Sequence, residues 1–157
     1  MLNKDFKEFI ESLNSTGVEY LVVGGYALAA HGHPRYTGDL DIWVNRSPAN
    51  VTRLLKALSA FGFGSLGLVE DDFLQPEAVV QLGYPPARID LLTAIDGVSF
   101  EECFPRRMPI RVGDVEIPII HLTDFRANKL ASGRAKDLAD LESLDAPASA
   151  PPEDEGG

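Results

Sequence analysis

The sequence predicts an α+β (mixed α/β) domain in which a mixed β-sheet is flanked by helices, on three observations. Stretches of helical periodicity alternate with short apolar runs rich in β-branched and aromatic residues. A glycine pair directly follows the first such run, and a series of short strand-like runs separated by Gly and Pro precedes two closing helices. At 157 residues the chain fits a single core. Its composition, 45% hydrophobic and 24% charged, is that of an ordinary globular protein.

Each element has a local reason. Leu2, Phe6, Phe9, Ile10 and Leu13 recur at helical spacing, so the chain opens with an amphipathic helix ending near Asn14 to Gly17. Val18 to Val23 reads as a buried strand that runs into Gly24 and Gly25, and a short helix from Tyr26 to His31 follows. Residues 31–38 form a loop by their Gly and Pro content, and Asp39 to Val44 form a second strand. Ser47 supplies an N-cap and Pro48 a first helical position for a helix whose Val51, Leu54, Leu55 and Leu58 share one face, with Gly62 near its end. Residues 78–83, 87–94, 108–112 and 115–120 are candidate strands extending the sheet. Thr123 can cap a helix reaching Ser132, Gly133 breaks it, and a last helix from Arg134 to Leu144 carries Leu138, Leu141 and Leu144. Residues 1–144 are therefore the domain. The segment 145–157 is acidic, rich in Pro and Ala and without a large apolar side chain, and is expected to be a disordered tail.

Several function classes are disfavoured at this stage. No apolar run approaches the roughly 20 residues of a membrane helix, and the N-terminal stretch is amphipathic rather than signal-like, so a cytoplasmic protein is expected. A single cysteine, Cys103, allows no internal disulfide and no shared zinc site, and reads as a buried, inert thiol. The net charge is -10, and although four acids and no base fall in the tail, the remainder is still acidic. That argues against a broad electrostatic grip on nucleic acid; such a substrate would need a local basic patch or metal-bridged phosphates.

The sharpest local feature spans Leu21 to Val44. Side chains alternate along a strand, so Asp39 and Asp41 project from one face while Leu40 and Ile42 enter the core. Two adjacent carboxylates repel, and a divalent cation between them removes that penalty. Hard oxygen donors suit Mg2+ or Mn2+ better than zinc. Gly24 and Gly25 let the backbone turn sharply and bring its N–H groups close to a phosphate.

This run resembles the signature of the polymerase-β-like nucleotidyltransferase superfamily: a hydrophobic strand, Gly followed by Gly or Ser, roughly a dozen residues, then Asp, an apolar residue, and Asp or Glu with another apolar residue. Gly24, Gly25, Asp39, Leu40, Asp41 and Ile42 hold those places. The resemblance implies the nucleotidyltransferase fold, a nucleoside triphosphate substrate, Mg2+ or Mn2+, and a third carboxylate on a later strand. Asp90, flanked by Ile89, Leu91 and Leu92, fits that third place; as a plain core residue it would instead need a partner such as Arg88. By resemblance, Asp39 and Asp41 bind metals that hold the triphosphate, and Asp90 also helps to activate the acceptor hydroxyl.

The C-terminal part, Ile119 to Leu144, resembles the closing helices of small bacterial members, including AbiEii-type toxin nucleotidyltransferases, which implies a possible antitoxin partner. Lys129 is the expected phosphate contact, with Arg134 and Lys136 in support and Asp137 holding one of those bases in place. Lys136 and Asp140 are also spaced as a helical ion pair. Arg35 and Thr37, in the loop before Asp39, are further nucleotide-binding candidates. Gly25 stands where many relatives have Ser, so only backbone contacts are expected there. His31 and His33 lack a third nitrogen or sulfur ligand and read as loop residues, and His121 as structural. A dinucleotide-binding oxidoreductase is disfavoured because the glycine turn lacks a third glycine. The expected activity is transfer of a nucleoside monophosphate to a hydroxyl of RNA, protein or a small molecule. The competing expectation is a catalytically weak nucleotide-binding or protein-interaction module of a toxin–antitoxin pair.

Overall fold

The computed structural model describes residues 3–33, 38–84 and 87–145. The expectations for Arg35, Thr37 and the tail beyond Asp145 therefore lie outside the described residues. Among the described residues, six strands form one sheet: β1 (Tyr20–Val23), β2 (Leu40–Val44), β3 (Val79–Leu82), β4 (Ile89–Leu92), β5 (Met108–Val112) and β6 (Val115–Ile119). Their order is β3-β4-β2-β1-β6-β5. The sheet is mixed, as expected. β1 runs antiparallel to β2 and parallel to β6, β2 runs parallel to β4, and β3 and β5 pair antiparallel with β4 and β6 at the two edges.

The helices are α1 (Lys4–Thr16), α2 (Gly24–Ala30), α3 (Pro48–Leu58), α4 (Asp71–Leu74), α5 (Phe100–Cys103), α6 (Leu122–Ser132) and α7 (Ala135–Asp145). In α1 the Asn3 side chain accepts the Phe6 N–H at 2.8 Å, and Gly17 ends the helix at φ 78°. Between those stops Phe6, Phe9, Ile10 and Leu13 form the buried stripe that the spacing predicts. Ser47 caps α3 through the Asn50 N–H, with Pro48 in the first turn. Asn50 is itself buried, and its amide is satisfied by Glu19 N–H at 2.7 Å and the carbonyls of Glu19 and Asn45 at 3.0 and 2.6 Å. One side chain thus ties the start of α3 to the ends of β1 and β2.

Five elements differ from the sequence expectation. α2 begins at Gly24 rather than Tyr26, because β1 passes into the helix with no intervening loop. α6 is capped by His121, whose Nδ1 accepts the Thr123 N–H at 3.1 Å, so an imidazole takes the place expected for a threonine hydroxyl. α7 buries Asp137 and Asp140, while Leu138 is exposed. The one-turn helices α4 and α5 lie in a region read as strands and turns, and are too short to show helical periodicity.

Candidate active site

β2 and β4 lie side by side and parallel, with Asp41 in register with Asp90. In-register neighbours on parallel strands point to the same face, so strand periodicity places Asp39, Asp41 and Asp90 together, opposite Leu40, Ile42 and Leu91. Asp90 is buried, and Asp41 and Asp39 are half-buried. Trp43 continues the same face and packs edge-on against Phe100 at 5.2 Å. Its indole N–H is buried without a hydrogen-bond partner.

The glycine turn closes over this face. Gly24 has φ 70°, a left-handed conformation that side chains other than glycine rarely adopt, and a Cβ there would collide with Oδ2 of Asp41. Gly24 is therefore required twice, for backbone conformation and for the space the carboxylate fills. Gly25 lies inside α2.

Arg88 sits among the acids. Its Nε donates to Asp90 Oδ1 at 3.0 Å, and its Nη2 donates both to Asp90 Oδ2 at 3.1 Å and to Asp39 Oδ2 at 2.7 Å. The partner that Asp90 would need in the absence of metal is thus present, and it holds Asp39 as well. These acids push the Arg88 guanidinium further above its ordinary range. Asp41 is raised to about 6, first by burial and then by the neighbouring charges of Asp90 and Asp39; Lys136, on α7, acts in the opposite direction.

The donor set matches the expectation of a hard divalent cation, since all three groups are carboxylates beside a cradle that a Cβ would fill. The arrangement does not. Among the described residues, no group of three or more His, Cys, Asp or Glu side chains is gathered to hold a metal ion. Two of the three carboxylates are turned onto Arg88.

The expected phosphate contacts also have other engagements. Lys129 is buried, with Nζ 3.2 Å from Asp137 Oδ1 and 3.4 Å from Asp140 Oδ2. Asp137 further accepts from Ser132 Oγ at 2.7 Å and from Arg134 Nε at 2.8 Å. Burial raises the Asp137 carboxyl, but the donors from Ser132, Arg134 and Lys129 outweigh it and hold the group well below the usual carboxylate range. Asp137 does hold the expected bases, and in doing so turns Lys129 into part of the α6–α7 joint. Lys136 is a further base whose charge reaches Asp41.

The remaining sequence candidates have structural places. His31 ends α2 with its Nε2 2.8 Å from the Ile120 carbonyl. The Cys103 thiol is buried and pushed up to about 12, by burial and then by Asp124, which makes it a poor nucleophile. No helix among the described residues is long and apolar enough to cross a membrane. What sequence reading underweighted is the reach of Arg88. Its i, i+2 spacing from Asp90 put the two on one face, but the second contact to Asp39 depends on the β2–β4 register.

No family model matches the sequence, and no curated protein matches it. Solved structures do. A Thermotoga maritima protein assigned as a nucleotidyltransferase superposes with a TM-score of 0.56 at 14% identity, covering 87% of this chain and 88% of that one. An antigenic nucleotidyltransferase-like protein from Paracoccidioides brasiliensis gives 0.53 at 15% identity, over 88% of this chain and 71% of that one. The lincosamide antibiotic adenylyltransferase LnuA, with lincomycin bound, gives 0.52 at 12% identity, over 93% and 98%. The fold of this chain is the nucleotidyltransferase fold.

Proposed function

We propose that the protein transfers a nucleoside monophosphate from a nucleoside triphosphate to a hydroxyl acceptor at the Asp39, Asp41 and Asp90 face. The observation that carries this reading is the in-register pairing of Asp41 with Asp90 on parallel strands beneath Gly24. In the reaction the acceptor oxygen bonds to the α-phosphorus, the bond from that phosphorus to the β-phosphate bridging oxygen breaks, and pyrophosphate leaves. The hydroxyl proton passes to Asp90. The Gly24 and Gly25 backbone approaches the phosphates, and Lys136 is a base whose charge acts on Asp41. Mg2+ or Mn2+ held by the three aspartates would neutralise charge on the triphosphate. One structural neighbour carries a lincosamide antibiotic, which supports keeping small molecules beside RNA and protein as acceptor classes.

A second reading, a binding module of a toxin–antitoxin pair with little turnover, is favoured by the engagement of Arg88, Lys129 and Arg134 in internal ion pairs. The deciding experiment offers each of four α-labelled nucleoside triphosphates with Mg2+ to the protein in a cell lysate, and separates labelled RNA, protein and small molecules. Label that appears with wild type and disappears with Asp41→Asn supports the transferase. Absence of transfer for all four nucleotides, with a co-purifying protein partner, supports the module.

A further inference from the structure

The three aspartates have the donor chemistry of a divalent-metal site, and two of them are held by a side chain of the chain itself. The Arg88 guanidinium spends two N–H groups on both oxygens of Asp90 and directs Nη2 to Asp39 as well. It therefore covers oxygen lone pairs that a metal would use, on two of the three candidate ligands. Asp41 accepts none of these bonds and lies against the Gly24 cradle. We propose that Arg88 is a resident counter-ion that competes with the divalent metal for Asp39 and Asp90, so that metal enters only as the guanidinium swings out. This rests on the transferase reading above.

Three features support the exchange. A guanidinium stays charged at any pH at which the protein is folded, so it leaves these carboxylates by displacement and not by losing a proton. Its side chain is 28% exposed, and the Asp39 side chain 36%, so the clamp opens to solvent and needs no rearrangement of the core. A divalent ion and a guanidinium on the same oxygens repel, and the ion carries twice the charge. Among the described residues, Lys136 acts on the site through Asp41, and Arg88 is the cation seated on Asp39 and Asp90. The displaced guanidinium remains tethered beside the site, where an incoming triphosphate is an anion it can meet.

The test is calorimetric titration of MnCl2, without nucleotide, into wild type, Arg88→Ala and Arg88→Lys, each confirmed folded by its thermal transition. Competition predicts that Arg88→Ala binds Mn2+ at least tenfold more tightly than wild type. Arg88→Lys, which keeps the charge and loses the two-pronged grip, should fall between them and serves as the measure if the alanine variant does not fold. Adding Asp41→Asn to either protein should weaken the binding, which locates the ion at this face. If Mn2+ binds wild type but binds both Arg88 variants equally or more weakly, the guanidinium supports the ligands instead of competing, and this inference falls while the transferase reading stands. If Mn2+ binds none of the three proteins, both fall together.

Discussion

Two clusters in this molecule are built from the same ingredients and behave differently. At the α6–α7 joint Lys129, Arg134 and Ser132 surround Asp137, with Asp140 also on Lys129. On the sheet face Arg88 bridges Asp39 and Asp90 while Asp41 stands beside them. The joint is closed: Asp137 is fully buried, and enough donors reach it to drive its carboxyl well below the ordinary range. The sheet face is more open, and among the described residues its acids outnumber its bases; burial first, and then the charges of Asp90 and Asp39, leave Asp41 raised to about 6. The balance of donors to carboxylates decides which cluster is a strut and which a site. A saturated buried network rigidifies, whereas an under-neutralised one can accept a further cation.

The largest test of that contrast is Lys129→Ala. If the joint is a strut, removing the ammonium leaves Asp137 and Asp140 buried with too little positive charge, at a cost of about 3–5 kcal/mol in unfolding free energy. Denaturant unfolding measures it. The same variant, where folded, should bind triphosphate nearly as well as wild type does. A small stability loss with a large loss of triphosphate affinity would restore Lys129 to the phosphate site and collapse the distinction.

Gly24→Ala attacks the open cluster through its backbone. A left-handed alanine at φ 70° is strained, and its Cβ would displace Asp41 Oδ2, so a loss of roughly 2–3 kcal/mol is expected together with loss of nucleotidyl transfer. Gly25→Ala, inside α2, should be tolerated. Equal effects at the two glycines would mean that the turn as a whole, and not the space above Asp41, is what matters.

Much of the open site was legible in the sequence, and the closed one only as far as Asp137 holding a base, for a physical reason. Strand periodicity is local, so Asp39 and Asp41 could be placed on one face from their spacing, and Asp90 from its apolar flanks. The occupation of Lys129 depends on how α6 packs on α7, which buries Asp137 and Asp140, leaves Leu138 exposed and packs a partly buried Leu144 against the core. Arg88 is an intermediate case. Its contact with Asp90 follows from i, i+2 alternation, while its bond to Asp39 needs the parallel register of β2 and β4. The capping role of His121 escaped because imidazole is a rare cap.

The clusters should also have opposite pH signatures. Asp137, held low, contributes stability that is present above the unfolded carboxylate value and lost as pH falls through its folded value. Asp41, raised to about 6 from 3.8, does the reverse: its ionisation is harder in the folded state, so its penalty is absent below about pH 4 and fully present above about 6. Asp41→Asn should therefore stabilise the metal-free protein at pH 7 by about 1–2 kcal/mol, a figure reduced from the full shift because the group is partly exposed. The gain should vanish near pH 4. Urea titrations at the two pH values measure it, and a destabilised variant at pH 7 would mark Asp41 as a structural acid.

The smallest expected effect compares two charge pairs on the same helix. Asp145 closes α7 and pairs with Arg126 at 2.6 Å, but both partners are solvent-exposed, with side-chain exposures of 63% and 40%. Eight residues earlier, Asp137 makes the same kind of contact in full burial. An exposed pair gives up little solvation and gains little Coulomb energy, so its short distance should carry almost no stability, on the order of 0–1 kcal/mol. Two truncations isolate it: ending the chain after Leu144 removes Asp145, and ending it after Asp145 keeps the pair while deleting a segment without large apolar side chains. Both proteins should melt within a degree or two of the full chain, the shorter one marginally lower, and that small gap should close in high salt as screening removes the pair. A drop of many degrees on ending after Asp145 would mean that residues 146–157 dock onto the domain. A comparable drop confined to the loss of Asp145 would mean that exposure is a poor guide to which of these ion pairs holds the fold together.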